Sequence, residues 1–240
     1  MAALDARTEK AVERFAAQIE AALGPGLVCL ALYGSAAGDD WVAGRSDVNL
    51  AVVVDGVSLE ALDALVPVVG GRPRGFAIPL VLDPEYLDGA RDTFPMELSD
   101  LARQHRVLAG RDVLADIRVE PAAVRRQCEQ EARGKLLRLR ALYLETAGNP
   151  DALEQVMVES LKSFLIVLRH LVRLRGSEAH GYASVLRDGE ALVGALPVMR
   201  RLLGHRTGAA PLPARALRAE FRGYLDDVGR IVAALDGLDA

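Results

Sequence analysis

The chain has 240 residues, of which 51% are hydrophobic and 26% are charged, and its formal net charge is −4. This composition is typical of a soluble globular protein with one large domain or two modest ones, and it argues against an extensive basic surface for nucleic acid. No apolar run approaches the ~20 residues that a membrane span needs, and the charged N-terminus lacks a signal-peptide core.

The cysteine usage points to a reducing compartment. Cys29 and Cys128 lie far apart in the sequence and form neither a metal-binding spacing nor a disulfide framework. Together with the absence of a targeting segment, this pattern predicts a cytoplasmic protein that does not associate with a membrane.

The first predicted elements are an amphipathic helix and a buried strand. Apolar residues recur at helical spacing over residues 5–22, and the Gly24-Pro25-Gly26 sequence ends this helix. The following run, residues 27–33, is apolar on both faces and therefore favours a strand at the centre of a sheet.

A Gly-Ser pair follows this strand directly. Gly34-Ser35 predicts a turn that opens a helix, where unpaired backbone N–H groups and the positive end of the helix dipole suit a phosphate. Glycine allows a phosphate to approach the backbone, and the serine hydroxyl can bond one of its oxygens. The pair is therefore a candidate phosphate-binding turn.

A second buried strand is predicted to begin at Asp47, with the sequence Asp-Val-Asn-Leu-Ala-Val-Val-Val. Residues two apart on a strand project to the same face. Asp47 and Asn49 are therefore expected to project together, near the start of the strand, towards the Gly34-Ser35 turn.

The whole pattern resembles the nucleotidyltransferase superfamily, which includes DNA polymerase beta and the aminoglycoside nucleotidyltransferases. The resemblance rests on a hydrophobic strand, Gly34-Ser35, eleven further residues, and the block of residues 47–50. It implies that the Gly-Ser turn holds the phosphates of an NTP and that Asp47 binds Mg²⁺. Asn49 stands where the family has a second metal-binding carboxylate, so it offers the metal one neutral oxygen instead.

Several residues near this unit have two interpretations. Trp41, the only tryptophan, either covers the nucleotide site or caps the edge of the core. Arg45 either contacts a nucleotide phosphate or neutralises the nearby Asp47. Arg72 and Arg74, in a later turn, either reach a phosphate or are solvated.

The next segment is predicted to contain a helix and a strand. Ser58 is expected to cap a helix over residues 59–69. Residues 76–82 predict a strand that Pro79 confines to a sheet edge or a bulge. Asp83 is expected to be the N-cap of a short helix that begins with proline.

The block FPMELSDLARQHRVLAG, residues 94–110, is similar to the segment in which a strand of this family supplies a third carboxylate. The resemblance implies that Glu97 is this third acid, a metal ligand and the base for the acceptor, with Asp100 as the alternative. The residues alone also fit a second interpretation, in which Glu97 is a solvent-facing residue at the start of a helix.

From about residue 116 onward the sequence predicts helices only, packed as an antiparallel bundle. The predicted helices begin at Pro121 and cover residues 121–147, 151–175, 183–193, 197–203 and 214–235. The predicted fold class is therefore α+β, with a small mixed β-sheet in a nucleotidyltransferase-like domain over residues 1–115 and an all-α helical bundle over residues 116–240.

The resemblance implies an enzyme that transfers a nucleoside monophosphate from an Mg²⁺-bound NTP, ATP in the first instance, to a hydroxyl group of a small molecule or protein. Asn49 implies weak activity. Two alternatives stay open: a catalytically inactive nucleotide-binding or regulatory pseudoenzyme of the same fold, and a toxin–antitoxin or regulatory partner in which the bundle mediates assembly. A homodimer is a further possibility.

Overall fold

The computed structural model describes residues 4–38, 40–44, 46–146, 148–210, 212 and 216–238, to which all structural statements below refer. The chain divides into two compact units, Met1–Glu120 and Pro121–Ala240. None of the helices in these described ranges is both long enough and apolar enough to cross a membrane.

The first unit is built on a four-stranded sheet with the order β3-β2-β1-β4. The strands are β1 (Leu27–Tyr33), β2 (Asn49–Val54), β3 (Leu80–Leu82) and β4 (His105–Gly110). The sheet is mixed, because β1 is antiparallel to β2 and β4 whereas β2 and β3 are parallel.

Both faces of this sheet are covered by helices. These are α1 (Ala6–Leu23), α2 (Leu59–Gly70), α3 (Pro84–Gly89) and α4 (Pro95–Arg103). Because successive side chains of a strand point to opposite faces, Leu30 and Val52 pack with α1 and α2, whereas Ala31 and Val53 pack with α3 and α4. Burial on both faces explains why β1 and β2 are apolar at every central position.

Side-chain caps fix where three of these helices begin. The Asp5 carboxylate accepts hydrogen bonds from the first turn of α1, and the Ser58 hydroxyl does the same for α2. The Asp83 carboxylate accepts the Tyr86 N–H at 2.7 Å, so its predicted role as an N-cap is confirmed. Each cap satisfies backbone N–H groups that have no partner within the helix.

The predicted strand over residues 76–82 is shorter than expected. Regular pairing covers only β3, and before it Phe76 forms an isolated bridge with Val48. Pro79 lies between the two, and it has no N–H to donate to a ladder. The predicted edge position is confirmed, since β3 ends the sheet.

The second unit contains helices and, within its described residues, no strand. The helices are α5 (Pro121–Thr146), α6 (Pro150–Leu174), α7 (Tyr182–Val193), α8 (Pro197–Arg206) and α9 (Leu217–Asp236). The long helix α6 packs against the other four, and one stripe of apolar residues along it, including Leu153, Leu161 and Leu171, is buried. A small mixed sheet followed by a helical bundle confirms the α+β fold class.

Candidate functional site

The Gly-Ser turn lies directly after β1, as the sequence predicts. Gly34 begins a short 3-10 helix, Gly34–Ala37, and has a φ of 71°, a left-handed conformation that favours glycine. A Cβ atom placed on Gly34 would lie 3.5 Å from Asn49 Nδ2. The Asn49 side chain therefore lies beside the turn, although the helix that the turn opens is only one 3-10 turn.

Asn49 is the first residue of β2, and it is paired with Tyr33 at the end of β1. Its Nδ2 donates a hydrogen bond to the backbone oxygen of Asp47 at 3.4 Å, so Oδ1 is the atom that Asn49 can offer to a cation. Burial raises the pKa of the Tyr33 phenol, which therefore stays neutral beside this site at physiological pH.

Asp47 lies just before β2 and is exposed. It borders a cavity of about 1070 Å³ on the side of the sheet that α1 covers, whereas Gly34, Ser35 and Asn49 are not among the residues that line this cavity. The structure thus brings Asn49 to the Gly-Ser turn, and the convergence of the Asp47 carboxylate on the same turn stays a prediction.

The strand positions beside the start of β2 carry no acid. On one side is Tyr33, and on the other the segment from Phe76 to Ile78, where the Ala77 N–H donates to the Val48 backbone oxygen at 3.0 Å. The sequence did not predict which residues lie beside the start of β2, because the parallel pairing joins two segments that are separated by α2. The chain segments on either side of the start of β2 therefore supply no third carboxylate there.

The expectation that Glu97 lies on a neighbouring strand is wrong. Residues 95–103 form α4, and Glu97 is an exposed residue in its first turn. Pro95 is favourable at the start of a helix, and Leu98 and Leu101, three residues apart, are both buried against the sheet. The part of Glu97 in a metal site stays a prediction.

Two further predictions concern the loop before β2. Arg45 lies outside the described residues. The Trp41 ring packs against the core formed with α1 and α2, in agreement with the core-edge interpretation, and it also lines the cavity beside Asp47. Its indole Nε1 is buried and has no hydrogen-bond partner within the described part of the chain.

The donor set at the start of β2 fits a magnesium ion only in part. No group of three or more His, Cys, Asp or Glu side chains in the described ranges is arranged to hold a metal. Mg²⁺ is nevertheless often bound through one or two carboxylates together with substrate phosphates. A carboxylate oxygen and an amide oxygen, as Asp47 and Asn49 have, are the kinds of ligand that such an ion takes, and these two residues do not by themselves form a two-metal site.

Comparison with known proteins supports the fold. No family model matches the sequence, and no curated protein matches it significantly. Among solved structures, the chain is similar to spectinomycin adenyltransferase AAD(9) from Enterococcus faecialis, determined with ATP and spectinomycin. The similarity has a TM-score of 0.56 at 12% sequence identity, and it covers 95% of this chain and 99% of that one. The chain therefore has the fold of a nucleotidyltransferase.

Proposed function

We propose that the chain binds a nucleoside triphosphate with Mg²⁺ and slowly transfers its nucleoside monophosphate to a hydroxyl acceptor. The observation that carries this proposal is the position of the Asn49 side chain beside the Gly34 turn. It places an amide, rather than a second carboxylate, beside the turn proposed to hold the phosphates. In this proposal nucleotide binding belongs to residues 1–115.

Each residue has a defined part in the proposed site. The backbone N–H groups and hydroxyl of Gly34-Ser35 bind the terminal phosphates. Asp47 and the Asn49 oxygen hold one Mg²⁺, which when bound neutralises charge on the triphosphate. Glu97 as the base for the acceptor hydroxyl, and Arg45 as a phosphate contact, rest on the family resemblance alone.

A second candidate function is nucleotide binding without turnover. The residues beside the start of β2, Tyr33 and the segment from Phe76 to Ile78, are neutral, and this observation favours a protein that keeps the fold and has lost the reaction. Pyrophosphate release separates the two functions. The slow enzyme releases pyrophosphate from Mg-ATP with a suitable hydroxyl acceptor, whereas the binding protein releases none with any acceptor in a broad panel.

Calorimetry of Mg-ATP binding tests the site itself, and ATP is the first nucleotide to use because the solved neighbour contains it. We expect Asp47→Ala to abolish binding and Asn49→Asp to strengthen it about tenfold. Two unit charges 4 Å apart interact by about 4 kcal/mol at an effective dielectric constant of ~20, and ~1.4 kcal/mol surviving desolvation suffices for a factor of ten.

The matched control is Asp55→Ala, which removes an exposed carboxylate just beyond the opposite end of β2. We expect this variant to bind Mg-ATP like the native chain. Equal binding by the native chain and all three variants, or binding by none of them, would contradict the proposed metal site and leave only the fold in common with nucleotidyltransferases.

A further inference from the structure

Exposed apolar side chains are concentrated at one edge of the sheet. The described ranges contain eleven exposed large hydrophobic residues, and eight of these fall within residues 57–94, the segment that carries α2, β3 and α3. They are Val57, Leu59, Leu62, Val66, Ile78, Leu80, Tyr86 and Phe94. None of the eleven belongs to β4, the strand at the other edge of the sheet. A concentration of exposed apolar surface marks an interaction site.

Helix α2 contributes the largest part of this surface. Leu65 is buried against the sheet, whereas Leu59, Leu62 and Val66 are exposed, Leu59 by 68% and Val66 by 64%. Their spacing of three and four residues places the exposed three along one stripe of the helix. A helix with apolar residues on both its inner and its outer side is normally covered on both. The outer stripe of α2 is therefore a surface suited to a partner.

Strand β3 adds an open edge next to this helix. It is the last strand of the sheet, and in the described part of the chain it pairs with β2 alone. The N–H and C=O groups on the outer side of an end strand can pair with a strand of another chain. Leu80, on this strand, is 43% exposed. The outer stripe of α2 and the outer side of β3, together called the β3 edge below, belong to the same unit.

The charges around α2 identify the partner. Glu60 and Asp63 lie in the first half of the helix and are its only charged residues, whereas Arg72 and Arg74 follow its end. One end of the surface is therefore acidic and the other basic. A partner with one sign of charge would meet like charges at one of these ends. A second copy of the chain, running antiparallel about a two-fold axis, brings each acidic end onto a basic end and each leucine stripe onto the other.

We propose that two copies of this chain form a homodimer through the β3 edge, with their α2 helices antiparallel. The contact lies in the first unit and involves none of the residues proposed to bind the nucleotide. The proposal therefore does not depend on the proposed function.

Sedimentation equilibrium tests the apolar part of this contact. We expect the native chain to show a monomer–dimer equilibrium, and Leu59→Gln/Val66→Gln to raise the dissociation constant at least about tenfold. Glutamine removes apolar surface without adding charge, and it is a good helix former. The matched control is Leu137→Gln/Leu144→Gln, which alters two exposed residues of α5 with the same spacing of seven. This control should dimerise like the native chain.

Exchange of charges tests the antiparallel arrangement. Glu60→Arg alone and Arg74→Glu alone each place like charges at both ends of the contact, because every substitution occurs twice in a two-fold dimer. Each should raise the dissociation constant about tenfold. The double variant Glu60→Arg/Arg74→Glu restores opposite charges across the axis, so its dissociation constant should return to within a factor of about three of the native value.

Four results would overturn the proposal, once thermal unfolding has verified that every variant is folded. The native chain stays monomeric up to ~1 mM, the dissociation constant of a weak contact. The α2 double variant dimerises unchanged, or the α5 control abolishes the dimer, which would place the contact on the bundle. The combined charge exchange fails to restore what the single changes lose, which would exclude the antiparallel pairing. None of these measurements contains a nucleotide, so a failure of the proposed function would leave them unchanged.

Discussion

Asn49 differs from aspartate in charge and hardly in shape, so the chemistry of the proposed metal site depends on one amide group. The space beside Gly34 has room for either side chain, because the two are isosteric and even a Cβ atom added to the glycine would keep an ordinary van der Waals distance of 3.5 Å from Asn49 Nδ2. Restoring the carboxylate therefore changes the electrostatics of the turn without requiring the backbone to move.

A second polar arrangement in the first unit joins the start of β4 to α4 and to the segment that follows the strand. The His105 ring has Nδ1 at 2.8 Å from the Leu101 backbone oxygen and Nε2 at 3.0 Å from the Asp112 carboxylate. Burial by itself raises the pKa of the Asp112 carboxyl, but hydrogen bonds from the Ala115 N–H, His105 and the Leu114 N–H together hold that pKa below its usual value.

The lowered pKa of Asp112 predicts acid sensitivity. The folded chain binds this proton less tightly than the unfolded chain, so the stabilisation is present above the ordinary pKa of 3.8 and is lost as the pH falls below it. We expect Asp112→Asn to lower Tm near neutral pH and the difference from the native chain to close as the pH falls below 3.8. Thermal unfolding across this range measures it. Asp116→Asn, which alters an exposed neighbour, is the control, and its Tm should follow that of the native chain at every pH. A difference in Tm between Asp112→Asn and the native chain that stays constant with pH would contradict the prediction.

At the scale of elements, helices and strands whose hydrophobic residues follow one consistent period were predictable from the sequence. Short segments without a clear period were not. Strand β1 agrees with its predicted range, and α6 differs from its prediction by one residue at each end, because burial on one face or both dictates every position. The block that became α4 was misassigned, since a short apolar run fits a strand or a helix and tertiary packing decides between them. The absence of acidic residues beside the start of β2 could not be predicted either. It follows from the pairing of two segments that α2 separates, and no local sequence pattern specifies that pairing.

The start of α8 shows how one helix of the bundle caps another. Leu196, at the N-cap position, has no side-chain hydrogen bond. Asp227 of α9 takes its place: it is 1% exposed and accepts the N–H groups of Val198 and Met199 at 2.9 and 3.0 Å, with Arg230 also at 3.0 Å. This contact ties two helices together through backbone groups that otherwise have no partner.

Asp227→Ala is therefore expected to destabilise the chain by about 3 kcal/mol, since two buried N–H groups lose their acceptor at ~1–3 kcal/mol each with partial relaxation. Urea unfolding followed by circular dichroism measures the loss. Asp226→Ala, the adjacent exposed residue on the same helix, is the control and should change stability by less than ~0.5 kcal/mol. Similar small effects in both variants would show that Val198 and Met199 find other partners.

At the scale of the whole molecule, each unit buries a core built from its own described residues. Both apolar clusters of the first unit consist of residues that precede the boundary, the last being Val119. In the second unit α6 is buried by its four neighbouring helices, all of which lie after the boundary. Units of this length are near the commonest size of independent domains, so each contains enough sequence to bury a core of its own.

Separate expression tests this independence. We expect fragments 1–120 and 121–240 each to unfold cooperatively on heating, because neither loses a residue of its own apolar clusters when the chain is cut at the boundary. Far-ultraviolet circular dichroism should show a purely helical spectrum for fragment 121–240 and a mixed spectrum for fragment 1–120, whose strands lie in one sheet. A fragment without a cooperative transition would mean that its core needs the other half of the chain. In that case substitutions in one unit, such as Asp227→Ala, would also lower the stability of the other.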